Sequence, residues 1–163
     1  MSIEFLSTRR ALVLGAAQLA GALALSRFSW ATDALPRMIV TRDPNCGCCS
    51  AWVAHVKAAG FPVEVVEAAD LTPLKAKLGV PESLASCHTA EVGGYVVEGH
   101  VPADAIKRLL TQRPPATGLA VAGMPIGSPG MEVPGTAPET YDIVLFAPGG
   151  WRVFAHYRGA QQL

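Results

Sequence analysis

The feature that most constrains this sequence is a run of three cysteines within four positions, Cys46-Gly47-Cys48-Cys49, between two different hydrophobic patterns. The preceding residues 38–41 form a short β-type run that ends in turn-forming residues, which predicts a strand. From Ser50 onwards apolar residues recur at the spacing of one helix face. The sequence therefore predicts that the cysteines lie at a strand-to-helix turn, with Cys49 in or beside the first helical turn.

The remaining pattern predicts an α/β domain. After the first helix the predicted elements are a strand at 62–66, a helix with Pro73 in its first turn, a β-hairpin at 87–98, a helix after Pro102, a strand at 118–122 and a terminal hairpin at 143–157. This order is that of a thioredoxin-like fold, with a mixed central sheet, flanking helices and an inserted β-hairpin. If Pro125 faces the cysteine turn, as a proline does in such folds, the Met124-Pro125 bond is expected to be cis.

The first 31 residues have the pattern of a targeting segment. Arg9-Arg10 precedes a mild Ala/Leu/Gly stretch at 14–25, and Ser29-Trp30-Ala31 supplies small residues at the usual cleavage spacing. The pattern resembles a twin-arginine export signal. The stretch is shorter and less apolar than the roughly 20 residues of a membrane span, although a retained anchor is the alternative. We predict a signal peptide at 1–31, one domain at 32–163, and no span in the mature domain.

The charged residues are nearly balanced, which bears on the class of partner. The whole chain has a formal charge of zero, and the predicted mature domain keeps ten basic and twelve acidic side chains. A near-neutral surface lacks the basic patch that attracts a phosphate backbone. Nucleic acid is therefore not expected as a partner.

The cysteine turn is predicted to hold reactive sulfur. A helix N-terminus presents unpaired N–H groups and a positive dipole end, which favour a thiolate over a thiol. Such thiolates can exchange disulfides or hold a soft metal. A redox cycle needs one attacking and one resolving thiol, so the third thiol, Cys48, has no role in it. Its presence favours metal binding over disulfide exchange. Because thiolates can bridge ions, the four cysteines can hold several monovalent copper ions: Cys46, Cys48, Cys49 and Cys87.

Three further side chains are candidate auxiliary ligands. Met124 and Met131 flank a proline-rich loop that the predicted fold places against the cysteine turn, and thioethers suit the same soft metal. His88 follows Cys87, and its imidazole can bind a metal ion at one side of the cluster or form a hydrogen bond with a cysteine sulfur. The alternative is that both methionines only fill gaps in the core.

Each of these assignments has a structural alternative. Cys46 and Cys49 can form a structural disulfide, Cys48 can be a small buried apolar residue, and Cys87 can belong to the core. Local hydrogen bonding or packing is expected for the other histidines and for two tryptophans, namely His55, His100, His156, Trp52 and Trp151.

Four motifs together resemble the CopG family of copper-resistance proteins, over about residues 38 to 157. They are Asp-Pro-Asn-Cys-Gly-Cys-Cys at 43–49, Ser-Cys-His-Thr at 86–89, Glu-Gly-His-Val-Pro at 98–102, and the glycine- and proline-rich stretch at 123–131. The resemblance implies a thioredoxin-like fold, a location outside the cytoplasm, and copper held by clustered cysteines. It also implies copper ions, and other periplasmic copper proteins, as partners.

We therefore predict a periplasmic, exported copper(I)-binding protein that acts in copper resistance or handling, with Cys46, Cys48, Cys49 and Cys87 as ligands. No conventional enzyme is predicted. The alternative is a thiol-disulfide or copper-reducing oxidoreductase that uses Cys46 and Cys49. Zinc or an iron-sulfur cluster is a weaker hypothesis, because the sequence has no second separated Cys-x-x-Cys pair.

Overall fold

A computed structural model describes residues 34–163 of the protein. The elements in this part of the chain are β1 (Met38–Arg42), α1 (Gly47–Ala58), β2 (Val63–Glu67), α2 (Thr72–Lys77), a 3-10 turn (Glu82–Leu84), β3 (His88–Val92), β4 (Tyr95–Glu98), α3 (Ala103–Gln112), β5 (Gly118–Ala120), β6 (Thr140–Ala147), β7 (Gly150–Arg158) and β8 (Gln161–Gln162). The predicted signal peptide at 1–31 lies outside the described residues. No helix among residues 34–163 has the length and apolar character that crossing a bilayer requires.

The strands form one mixed sheet in the order β2-β1-β3-β4-β5-β6-β7-β8. Strands β1 and β2 are parallel and are joined through α1, as the hydrophobic pattern predicted. Strands β4 and β5 are also parallel, whereas the other neighbouring pairs are antiparallel. The protein is thus a mixed α/β structure in which helices flank a mixed sheet.

Two β-hairpins were predicted, and both are present. Strands β3 and β4 join through Gly93 and Gly94, whose φ angles of 57° and 87° suit the turn. Strands β6 and β7 form the terminal hairpin. The short β8, which was not predicted, pairs only with the last two residues of β7. Local turn residues therefore determine both hairpins.

The sheet buries side chains on both faces. Val97, Leu119 and Ile143 belong to the larger core, which also includes Trp52 of α1 and Ile106 of α3. The neighbouring positions along the same strands belong to a smaller core, which contains Val96, Ala120 and Val144 together with Val80, Leu84 and Phe146. Because successive strand residues point to opposite faces, the two cores lie on opposite sides of the sheet.

Trp151 departs from the expected core position. Its side chain is 55% exposed, whereas Trp52 is completely buried. Trp151 lies at the start of β7, near the edge of the sheet, where β8 reaches only Tyr157 and Arg158. Trp151 thus lies outside the part of β7 that β8 pairs with, and its side chain is largely exposed.

The bond before Pro125 also differs from the conditional expectation of a cis peptide. The Met124-Pro125 bond is trans, and no cis peptide occurs among the described residues. The chain changes direction instead at Gly123 and Gly127, which have φ angles of 68° and 85°. Glycine in the left-handed region supplies the turns without a cis bond.

Candidate metal centre

The turn between β1 and α1 places three cysteines at a helix N-terminus. The backbone N–H of Asn45 donates to the Asp43 carboxylate at 2.7 Å, a typical Asx turn. Cys46 then caps α1, and its Sγ accepts a hydrogen bond from the backbone N–H of Cys49 at 3.3 Å. The prediction that Cys49 lies in the first helical turn is confirmed.

Cys46 and Cys49 form a disulfide in this structure, and Cys48 and Cys87 are the free cysteines of the described chain. Sulfur in a disulfide cannot act as a thiolate ligand. Metal binding by all four cysteines therefore requires the reduced state of this pair.

Cys87 lies beside the cysteine turn because of how β1 and β3 pair. These strands are antiparallel, with Arg42 opposite His88. The turn that follows β1 is consequently next to the residue that precedes β3. Cys48 Sγ is 3.4 Å from Cys46 Sγ and 3.9 Å from Cys87 Sγ, and the four sulfurs all lie within 4.8 Å of one another.

Two buried histidines extend the sulfur cluster. Cys87 Sγ lies 3.1 Å from His100 Nε2 and 3.4 Å from His88 Nδ1. His100 Nδ1 lies 2.9 Å from the Pro129 carbonyl, which can only accept, so Nδ1 carries the proton and Nε2 faces the sulfur with its lone pair. Cys87, His88 and His100 form a second group whose ligand atoms lie within 4.8 Å of one another.

Burial controls the protonation of this site. It lowers the pKa of His88 to about 3, with further lowering by His100 and Lys75, and it also lowers the pKa of His100. Burial, reinforced by the neighbouring Cys48, raises the pKa of the Cys87 thiol to about 12. The metal-free site therefore holds neutral imidazoles beside a protonated Cys87, whose proton a soft metal would have to displace.

The loop at 123–131 packs against the cysteine turn. A methyl group added at Gly130, where φ is 86°, would lie 2.7 Å from the Trp52 backbone nitrogen and 2.8 Å from the Cys48 carbonyl oxygen. Only glycine fits this contact without displacement of the backbone. The loop is thus where the sequence predicted it, with Met124 52% exposed and Met131 half-buried. Thioether ligation by either residue stays a prediction.

Comparison with known proteins identifies the family. A family model described as a protein of unknown function, DUF411, matches residues 84–131. Two solved structures of a copper resistance protein CopG, forms 1 and 2, are each 44% identical to the chain with a TM-score of 0.71. They cover 77% and 76% of this chain and 99% and 98% of their own lengths. The chain belongs to the CopG family. No curated protein sequence matches it.

The two kinds of match cover different parts of the site. The DUF411 region contains Cys87, His88 and His100 but not the cysteine turn. The CopG structures cover about three quarters of the chain and nearly all of their own length. The resemblance of the four motifs to the CopG family is therefore confirmed at the level of the whole domain.

His100 is the site residue that sequence analysis missed, because local packing was expected for it. Gly99 directly follows β4, and its φ of 72° turns the chain so that His100 faces Cys87. The available signal was the Glu-Gly-His-Val-Pro motif, in which the histidine follows a glycine at a strand end. His55 and His156 make hydrogen bonds outside the candidate site, His55 with the Ala103 backbone N–H at the start of α3 and His156 with the Asp142 carboxylate of the neighbouring strand.

The donor atoms at this CopG site fit a soft metal ion. Four sulfurs and two imidazoles are brought together, and no carboxylate belongs to either ligand group found among residues 34–163. Thiolate and imidazole donors favour monovalent copper or zinc over hard cations such as magnesium. The arrangement is compatible with metal binding.

Proposed function

We propose that this protein binds copper(I) through the thiolates of Cys46, Cys48, Cys49 and Cys87 and acts in copper resistance or copper handling. The observation that carries the proposal is the meeting of all four sulfurs within 4.8 Å. Membership of the CopG family supports copper as the metal. In this proposal copper is the cargo that the protein takes up and releases, and its partners are copper ions and other exported copper proteins.

The site is proposed to hold more than one copper ion. A single tetrahedral ion takes four ligands, whereas four sulfurs and two imidazoles meet at this site. Bridging thiolates would allow a second ion to bind, because each sulfur can contact two ions. His88 and His100 are placed to contribute nitrogen at the Cys87 side, and Met124 and Met131 are the proposed thioether ligands.

A second function, copper or disulfide oxidoreduction, is favoured by the Cys46–Cys49 disulfide at the start of α1. We propose a thioredoxin-like relationship for this part of the fold, which rests on the β1-α1-β2 unit with Cys-x-x-Cys at its first turn. In the redox cycle the two reduced thiols would lose two electrons and two protons, form the S–S bond, and reduce two copper(II) ions to copper(I).

Export to the periplasm by the twin-arginine route is part of the same proposal. It is supported by the sequence pattern at 1–31, where Arg9-Arg10 precedes the Ala-rich stretch. A fusion of residues 1–31 to a reporter that is active only after folded export would test the route, with Arg9→Lys and Arg10→Lys together as the control. Export that is insensitive to this double change would contradict it.

Copper(I) titration under anaerobic, reducing conditions tests the main function. The protein is titrated against a colorimetric copper(I) chelator, desalted and analysed for metal. We expect several copper ions per chain, and retention of fewer than about one would contradict the proposal. A copper(II)-reduction assay of the same preparation, with Cys49→Ser as the inactive comparison, tests the second function separately.

A further inference from the structure

A completely buried carboxylate lies behind the cysteine cluster. Glu98, the last residue of β4, has no exposed surface. Its Oε1 accepts hydrogen bonds from the backbone N–H of Ser86, at 2.6 Å, and from Lys75 Nζ. Its Oε2 accepts from the Thr89 hydroxyl at 2.7 Å. One side chain therefore binds three donors, one from α2 and two from the segment that contains Cys87.

Two of these donors flank Cys87 in the sequence. Ser86 immediately precedes it, and Thr89 follows two positions later. The carboxylate of Glu98 therefore anchors the chain on both sides of the cysteine. The Ser86 hydroxyl also donates to the Gly123 carbonyl, which connects the same segment to the loop at 123–131. These contacts hold the backbone on either side of Cys87, and the backbone position limits the directions that the Cys87 side chain can take.

Lys75 supplies the charge that this carboxylate needs. It belongs to α2, a helix of six residues of which none is buried, and its ammonium also donates to the Thr89 hydroxyl at 2.8 Å. Burial raises the pKa of Glu98, and the Lys75 contact opposes this shift. A buried ion pair often stabilises a fold no better than apolar residues of similar size. The pair therefore calls for an explanation other than stability.

We propose that Glu98 is a positioning residue, with Lys75 as its counter-ion, that holds Cys87 Sγ within bridging distance of Cys48 Sγ. The two sulfurs are 3.9 Å apart in this structure. This role deepens the proposed function and rests on it in one respect, since the reason for positioning the Cys87 thiol is that it binds copper. The positioning itself requires no metal and can be measured in the metal-free protein.

Thiol cross-linking tests the positioning directly. In the metal-free full chain with the Cys46–Cys49 disulfide intact, dibromobimane can bridge the remaining thiols, Cys48 and Cys87, or label each separately. Peptide mapping gives the ratio of bridged to separately labelled protein. For Glu98→Gln we expect this ratio to fall about tenfold, which corresponds to the loss of one hydrogen bond to a charged group.

Two controls separate positioning from general destabilisation. Lys77→Met changes an exposed lysine of the same helix α2 and should leave the ratio unchanged. Leu109→Ala removes a buried side chain of α3, so it should lower the melting temperature without changing the ratio. If Glu98→Gln does not fold, Lys75→Met is used instead, because it removes the same ion pair by changing the less buried partner. This variant should also lower the ratio of bridged to separately labelled protein.

An unchanged ratio in folded Glu98→Gln, or in folded Lys75→Met where the first variant does not fold, would overturn the positioning role. The same would follow if Leu109→Ala lowered the ratio as much, because the effect would then be general loosening. Copper(I) titration of the wild type is an independent measurement. If the wild type bound no copper but the variant lowered the bridging ratio, the proposed function would fail while the positioning role would stand.

Discussion

The sulfur of Cys87 lies 3.1 Å from Nε2 of His100, although thirteen positions separate the two residues. The Pro129 carbonyl fixes the imidazole tautomer, so the lone pair of Nε2 is directed at the sulfur. This relationship extends the cysteine cluster into a mixed sulfur and nitrogen site.

Replacement of His100 by alanine should weaken copper(I) binding by about tenfold or more, since removal of a ligand or of its hydrogen-bonding partner has this effect at metal sites. Competition against a colorimetric copper(I) chelator measures the change. His156→Ala is the matched control, because His156 is exposed and pairs with Asp142, away from the cysteines. Equal affinity of His100→Ala and wild type would exclude a role of this imidazole in metal binding.

Cys48→Ser should distinguish metal binding from two-cysteine redox chemistry. Cys48 lies outside the disulfide, yet its sulfur is within 3.9 Å of both Cys46 and Cys87. We expect the variant to lose at least about half of its bound copper, because a bridging ligand is removed, while the Cys46–Cys49 disulfide still forms. Metal analysis and thiol counting measure the two properties. Full copper content in the variant would contradict the four-thiolate site.

Gly130→Ala should destabilise the protein more than Gly135→Ala. Both glycines have positive φ, of 86° and 77°, but an added methyl group meets backbone atoms only at Gly130. The difference in unfolding free energy should be about 1–3 kcal/mol, the usual cost of overpacking. Urea denaturation of the two variants measures it. Equal stability would show that the loop at 123–131 is not packed against the cysteine turn as described.

Stability should fall as the pH drops below about 6.5, the ordinary pKa of histidine. Burial lowers the pKa of His55, whose Nε2 accepts a hydrogen bond from the Ala103 backbone N–H at the start of α3. The folded protein therefore keeps His55 neutral at a pH where the unfolded chain binds a proton. By linkage, the contribution of His55 to the unfolding free energy is fully present above about pH 6.5. It is lost progressively as the pH falls from there towards the lowered pKa of His55 in the folded protein.

The contribution of His55 to this acid sensitivity can be isolated with His55→Gln. Glutamine keeps an oxygen that can accept from Ala103, but it does not titrate. Urea denaturation at a series of pH values should show a shallower dependence for this variant than for wild type. His156→Gln, at an exposed position, is the comparison. If the two variants respond alike to pH, the assignment to His55 is wrong.

Much of the fold follows from patterns that are local in the sequence. The strand-to-helix turn at Cys46, the parallel return through α1 and the Gly93-Gly94 hairpin were all predicted, and the structure confirms them. Each depends on backbone preferences and side-chain periodicity within a few residues. The location of three cysteines at the start of α1 could therefore be predicted from the sequence.

Residues that depend on neighbouring strands were predicted less well. Cys87 was predicted to belong to the candidate site, and its position next to Cys48 is decided by the antiparallel pairing of β1 with β3. Trp151 was expected in the core, and its exposure depends on how little of β7 the strand β8 covers. Neither fact is available from apolar spacing within a single element.

By itself, then, the sequence determined most of the elements, though not β8, and that Cys46, Cys48 and Cys49 share a helix N-terminus, because these depend on contacts between near neighbours. Only the tertiary structure decided that His100 meets Cys87 and that Glu98 is buried beneath Ser86 and Thr89. The physical reason is that strand pairing and burial depend on segments far apart in the chain. The ligand geometry and the charge environment of the site are set by those contacts.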